Sequence, residues 1–160
     1  MKSTLSAPRP GRLPARAQPT VVHLHVHRTG SSAHGSAVPP AQALKAVRDG
    51  LPLRELVALQ DALGIPLDAL AARLGISKAT LHRRKQEGVL TAPESDRVLR
   101  FARLIGQAGV VFGGPDAARQ WLNAPQRGLG GAVPLDYAET EVGAREVEHL
   151  LGRIEHGVYS

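Results

Sequence analysis

Four cations, Lys78, Arg83, Arg84 and Lys85, fall within eight residues, interleaved with Thr80 and His82. Spacing places them on one short helix, with Ser77 just ahead as a good N-cap, since its hydroxyl satisfies an orphaned amide of the first turn. Lysine and arginine neutralise phosphates, and the start of a helix in the major groove reaches base edges. The chemistry indicated is duplex DNA binding. Ser77, Lys78, Thr80, His82, Arg83, Arg84 and Lys85 are the expected contacts, the first turn on bases and the basic second half on phosphates. The plainer reading is an αα-hairpin with a solvated basic face. Arg54 and Gln60, earlier in the chain, are candidates for further phosphate contacts.

A second pattern is His23, His25 and His27, alternating with Val22, Leu24 and Val26. On a strand these histidines share a face about 6.6 Å apart, from a rise of about 3.3 Å per residue. Zinc, copper or nickel accept such an array when a fourth ligand arrives. The chain has no cysteine and no carboxylate before residue 49, which leaves His34 as the nearby donor. A His-rich polar strand face is therefore expected, with no metal site and no cofactor. Catalytic groupings are also lacking. The acids mostly sit beside Lys or Arg at helical spacing, as Glu141 does with Arg145, and no Ser/His/Asp set stands out. Gly113-Gly114 and Gly128–Gly131 follow no strand and lack the Lys-Ser/Thr of a phosphate loop, so they read as turns. The chain is not expected to be an enzyme.

The basic helix needs a frame, and residues 67–86 (LDALAARLGISKATLHRRKQ) provide it. A helix-turn-helix requires a small residue where its helices cross, a glycine in the turn and an apolar residue on the buried side of the second helix. Ala71, Gly75 and Leu81 fill these positions, with Leu70, Leu74 and Ile76 packing around them. Helices are expected over 41–48 and from Leu51-Pro52 to Gly64, the latter with a stripe of Leu53, Leu56, Val57, Gln60 and Leu63. A third begins at Pro66. A long one runs from about Pro93 to Val111, with Glu94 and Asp96 in its first turn where the dipole favours anions. A short helix over 116–123 and a Gly-rich loop from Pro125 to Pro134 follow. The last helix runs from about Thr140 to His156 and buries Val147, Leu150, Leu151 and Ile154. Residues 1–19 are Pro- and Arg-rich and read as an arm too poor in apolar residues to order itself. Residues 20–28 form the one strand-like segment, expected to pair with its equivalent in a second copy. The fold class is all-α, in three parts: a basic arm over 1–39, a helical domain over 40–109 with the helix-turn-helix at 67–86, and a small domain over 110–160.

Charge follows that division. The net +6 comprises five bases and no acid over 1–40, eight bases against five acids over 41–88, and seven against nine over 89–160. Such polarity suits two partners of opposite charge, a polyanion towards the front and a basic surface towards the back. No apolar run approaches the ~20 residues of a membrane span. Residues 1–19 have no apolar stretch of the kind a signal peptide needs, and absence of cysteine fits a reducing cytoplasm.

Over residues 110–158, the residues Trp121-Leu122, Pro125, Leu129-Gly130-Gly131, Pro134-Leu135, Gly143, Val147, Leu150, Ile154 and Gly157 carry a pattern. It closely resembles the toxin-binding domain of Xre/MbcA/ParS-type antitoxins. With the Xre-like helix-turn-helix before it, the resemblance extends over roughly residues 40–160. It implies an antitoxin that neutralises a RES-domain toxin acting on NAD by obstructing its cleft, and that represses its own operon through double-stranded promoter DNA. Arg145, Glu148, His149, Arg153, His156, Tyr159 and Ser160 are the expected toxin contacts; Tyr159 with the terminal carboxylate either enters the cleft or forms a frayed chain end. A homodimer is expected, because two recognition helices on a two-fold axis read half-sites about 34 Å apart. Two other readings stay open. One is a stand-alone dimeric transcription regulator whose C-terminal domain only makes protein contacts. The other is a metal-binding protein using His23, His25 and His27.

Overall fold

The computed structural model describes residues 39–157. The basic arm, the strand-like segment with its three histidines, Tyr159 and Ser160 lie outside the described residues. Within them the protein is all-α. Its helices are α1 (Pro40–Asp49), α2 (Leu53–Leu63), α3 (Leu67–Arg73), α4 (Lys78–Glu87), α5 (Ala92–Phe112), α6 (Pro115–Leu122), a 3₁₀ turn (Arg127–Leu129), α7 (Pro134–Tyr137) and α8 (Glu141–Glu155). The β pairing found is one isolated antiparallel bridge, Pro52 with Val89, which ties the start of α2 to the residues after α4.

Local chemistry sets most boundaries. Prolines stand in the first turn of α1, α5, α6 and α7, where a missing N–H costs nothing. Thr91 and Glu94 form a capping box at α5: the Thr91 amide donates to Glu94 Oε2 at 2.8 Å and the Glu94 amide donates to Thr91 Oγ1 at 3.5 Å. Thr140 Oγ1 accepts from the Gly143 amide at 3.0 Å and starts α8. The expected Gly-rich loop is more ordered than its composition suggests. Leu129 tucks into the core through the 3₁₀ turn, and the Gln126 amide and carbonyl both bond across the loop, to the Ala132 carbonyl and the Gly131 amide.

One departure from the sequence reading concerns a helix face. The inward stripe of α2 is Leu56, Leu59 and Leu63, all fully buried, whereas Val57 is 40% exposed. The stripe is rotated because α2 packs against α3, α5 and α6, and a face shared among three neighbours is centred between its two candidate rows. The expected border between 109 and 110 falls inside α5. That helix packs against α1 and α2 as well as α6 and α8. One hydrophobic cluster runs from Leu51 to Leu151 through Phe101, Leu104 and Ile105.

Polar contacts stitch the same halves together. Arg119 on α6 donates to the Ala62 carbonyl at 3.0 Å, and Asn123 donates to the Leu63 carbonyl at 3.2 Å. Residues of the C-terminal part thus satisfy carbonyls left open at the end of α2. Arg73 Nε on α3 reaches Asp136 Oδ1 on α7 at 2.8 Å.

Candidate functional site

The helix-turn-helix is built as its spacing predicts. Leu70, Ala71, Leu74, Ile76 and Leu81 are buried between α3, α4 and the rest of the core. Gly75 sits in the left-handed region at φ 67°, which an L side chain rarely adopts. Space is also tight there, since a Cβ on Gly75 would lie 3.1 Å from Arg97 Nη1. The Arg97 guanidinium, reaching over from α5, donates to the Leu74 carbonyl at 2.8 Å and braces the turn. Ser77 Oγ accepts from the Thr80 amide at 3.1 Å and pairs with Thr80 Oγ1 at 3.0 Å. Both hydroxyls are therefore engaged in capping α4. Lys78, His82, Arg83 and Lys85 are exposed along the helix, and His82 Nε2 lies 3.2 Å from Gln86 Nε2.

Arg84 departs from expectation. It is 8% exposed, and its Nε donates to Glu94 Oε2 at 2.7 Å while Nη1 donates to Glu87. Glu94, 7% exposed, meets it from the first turn of α5. Hydrogen bonds donated to Glu94 and then to Glu87 push the Arg84 pKa up. Burial works against the Glu94 carboxylate, yet the bonds from Arg84 and from the Thr91 backbone outweigh it and hold the carboxyl below its ordinary value. Arg84 is thus a bracket between α4 and α5, and its side chain is withdrawn from the exposed basic face. The sequence carried a signal for this. Position 84 lies three residues after the buried Leu81, on the same side of the helix.

A second surface lies on the opposite half of the molecule's sequence, where α5 and α8 flank an open groove of about 710 Å³. Arg103 and Gln107 line it from α5, and Glu141, Arg145, Glu148 and His149 line it from α8. Its charges are paired across and along the helices. Arg145 Nε lies 3.2 Å from Glu141 Oε1, Arg100 Nε 3.0 Å from Glu141 Oε2, and Arg103 Nη2 3.7 Å from Glu148 Oε1. Gln107 Nε2 donates to the Glu148 carbonyl at 3.4 Å. The hydrogen bond from Arg145 lowers the Glu141 pKa against the effect of burial, helped by the charges of Arg100 and Arg103.

Of the expected toxin contacts, Arg145, Glu148 and His149 come together in this groove. Arg153 is exposed further along α8 and His156 just past its end, both outside the groove lining, and Tyr159 and Ser160 lie outside the described residues. Sequence reasoning did not single out Arg103, Gln107 or Glu141 as contacts. Nothing local to Arg103 or Gln107 marks them, because their neighbours lie some forty residues away on α8. Trp121 packs half-buried, its ring 5.3 Å from that of Phe112 at a 35° tilt. No cluster of three metal-ligating side chains occurs among the described residues. No described helix is long and apolar enough to cross a membrane.

Comparison with known proteins matches two stretches of the chain to two domains. Residues 42–103 match the antitoxin Xre-like helix-turn-helix domain, and residues 107–157 match the antitoxin Xre/MbcA/ParS C-terminal toxin-binding domain. The chain is 42% identical over 98 residues to an antitoxin Xre of Yersinia enterocolitica, covering 60% of this chain and 66% of that one. It is 37% identical over 116 residues to an antitoxin Xre of Photorhabdus laumondii, covering 71% of this chain and 78% of its relative. A protein of Sphingobium sp. named Prs ADP-ribosylating antitoxin is 25% identical over 131 residues, 76% of this chain and 82% of that one. With a helix-turn-helix and a toxin-binding domain joined through one core, the chain belongs to the Xre antitoxin family.

Proposed function

We propose that this antitoxin captures a RES-domain toxin acting on NAD and represses its own operon by binding promoter DNA, acting as a homodimer. The observation that carries the reading is the open α5–α8 groove, whose α8 side and Gln107 lie within the matched toxin-binding domain, set apart from the exposed basic residues of α4. A groove of paired charges matches a folded protein partner better than a polyanion, since its cations are already neutralised. On α4, Lys78, His82, Arg83 and Lys85 bind DNA, with Ser77 and Thr80 setting the helix start against the duplex. Arg145, Glu148 and His149 contact the toxin, joined by Arg103, Gln107 and Glu141, with Arg153, His156, Tyr159 and Ser160 extending the contact towards the chain end. The antitoxin itself performs no catalysis.

The test is co-expression with the toxin encoded beside it, reading cellular NAD and capture of the toxin on the tagged antitoxin. Preserved NAD together with a stable complex supports the proposal. NAD loss unaffected by the antitoxin, or promoter binding with no toxin capture, would leave only a transcription regulator. Light scattering of the purified protein reads the homodimer directly.

A further inference from the structure

We infer that a backbone segment of the toxin lies directly against Gly152 on α8, making this glycine the point of closest approach between the two proteins; the inference rests on the toxin-binding reading above. Helix α8 contains two glycines, and the fold accounts for only one. At Gly143 a Cβ would come 1.7 Å from the Tyr137 carbonyl oxygen, so packing of α8 on α7 excludes any side chain there. Gly152 is different. It has ordinary helical backbone in the last full turn of α8, and among the described residues a Cβ placed on it would meet nothing within 4 Å. Glycine weakens a helix relative to alanine. Neither backbone conformation nor packing among the described residues gives a reason for it, which leaves a segment approaching this face of α8.

Position identifies the direction of approach. The pairs Arg100–Glu141 and Gln107–Glu148 show that α5 and α8 run the same way along the groove. Four residues beyond Gly106 and Glu148, which line it, stand Val110 and Gly152. Val110 is an apolar side chain left 48% exposed. By i, i+4 spacing the two helices continue past the groove's lining with Val110 on α5 and a position lacking a side chain on α8, which suits a chain backbone laid close against the helix. Charge selects the occupant. Residues 136–157 carry six acids and two bases, which disfavours nucleic acid and suits a protein segment with a basic rim. The surface also falls within the residues matched to the toxin-binding domain.

The experiment compares the full chain with Gly152→Ala and Gly152→Leu, measuring thermal unfolding, operator affinity, oligomeric state and Kd for the purified toxin of its own operon. Gly152→Ala is expected to keep or raise Tm, leave operator affinity unchanged and weaken toxin binding at least tenfold, with Gly152→Leu weakening it further. Wild-type Kd in Gly152→Ala overturns the inference while leaving the toxin reading intact. Conversion of a dimer to a monomer by Gly152→Leu with toxin Kd unchanged also overturns it, placing a second copy at this site. Failure of the unmodified chain to bind the toxin at all removes the toxin reading and the inference with it.

Discussion

Helix α4 and the α5–α8 groove carry similar residues and use their charge in opposite ways. Among the described residues Lys78 and Lys85 form no ion pair, and Arg83 meets Glu87 only at 3.9 Å. In the groove, Arg145 Nε bonds to Glu141 Oε1 at 3.2 Å and Arg100 Nε lies 3.0 Å from Glu141 Oε2, with Arg103 a looser 3.7 Å from Glu148. Loose cations lose little on meeting phosphates and gain from counterion release. Paired charges instead form a fixed pattern of donors and acceptors that only a complementary surface can match. The difference teaches that charge count alone does not distinguish these two surfaces. Pairing does.

Arg84 is where this contrast breaks most visibly. It belongs to the basic run by sequence and to the core by structure. Arg84→Ala leaves Glu94 buried without its guanidinium, so the largest loss of stability is expected here, lowering Tm and weakening DNA and toxin binding together. Arg83→Ala, one residue away and exposed, is expected to leave Tm unchanged. Equal Tm for the two variants would contradict the bracket. Next in size is the groove: reversing Arg145 to Glu places three acids together with Glu141 and Glu148, and is expected to weaken toxin binding about tenfold or more, in line with like-charge repulsion of a few kcal/mol at interfaces. Operator affinity, measured by fluorescence anisotropy, is expected not to change.

Stability in acid gives a smaller effect with a definite sign. The Glu94 carboxyl is held below its ordinary value of 4.5, so the folded state binds the proton less readily than the unfolded chain. Its contribution is present in full well above that value and is lost as pH falls from about 4.5 through the lowered pKa. Unfolding of Glu94→Gln followed by circular dichroism is expected to depend less on pH in that window than the unsubstituted protein. The smallest effect belongs to the exposed Lys45–Asp49 pair on α1, where Lys45→Ala is expected to change stability by less than about 1 kcal/mol.

What the sequence revealed followed the range of the interactions involved. The helix-turn-helix was legible because its rules are local: a small residue, a left-handed glycine and an apolar residue at fixed offsets, met by Ala71, Gly75 and Leu81. The Ser77 cap was legible for the same reason. The fate of Arg84 depended on Glu94, ten residues on and across a turn, which a basic run viewed alone does not disclose. Val57 and Leu59 exchanged places because helical periodicity allows either row until the neighbours of α2 are known. The groove was half legible. Its α8 side followed from an amphipathic helix, but Arg103 and Gln107 acquire meaning only when α5 is laid beside α8. The four-residue α7 passed unnoticed because a single turn has no periodicity to detect.

The central claim is that DNA and toxin meet separate surfaces held on one core. The most direct measurement is paired binding of a Lys78→Ala/Arg83→Ala/Lys85→Ala variant to operator DNA, over a range of salt, and to the purified toxin. The account predicts that operator affinity falls at least a hundredfold, that the slope of log K against log salt drops by about 0.9 for each phosphate no longer neutralised, and that toxin Kd stays at the wild-type value. Loss of both activities in a variant with unchanged Tm, or retention of wild-type operator affinity, would contradict it.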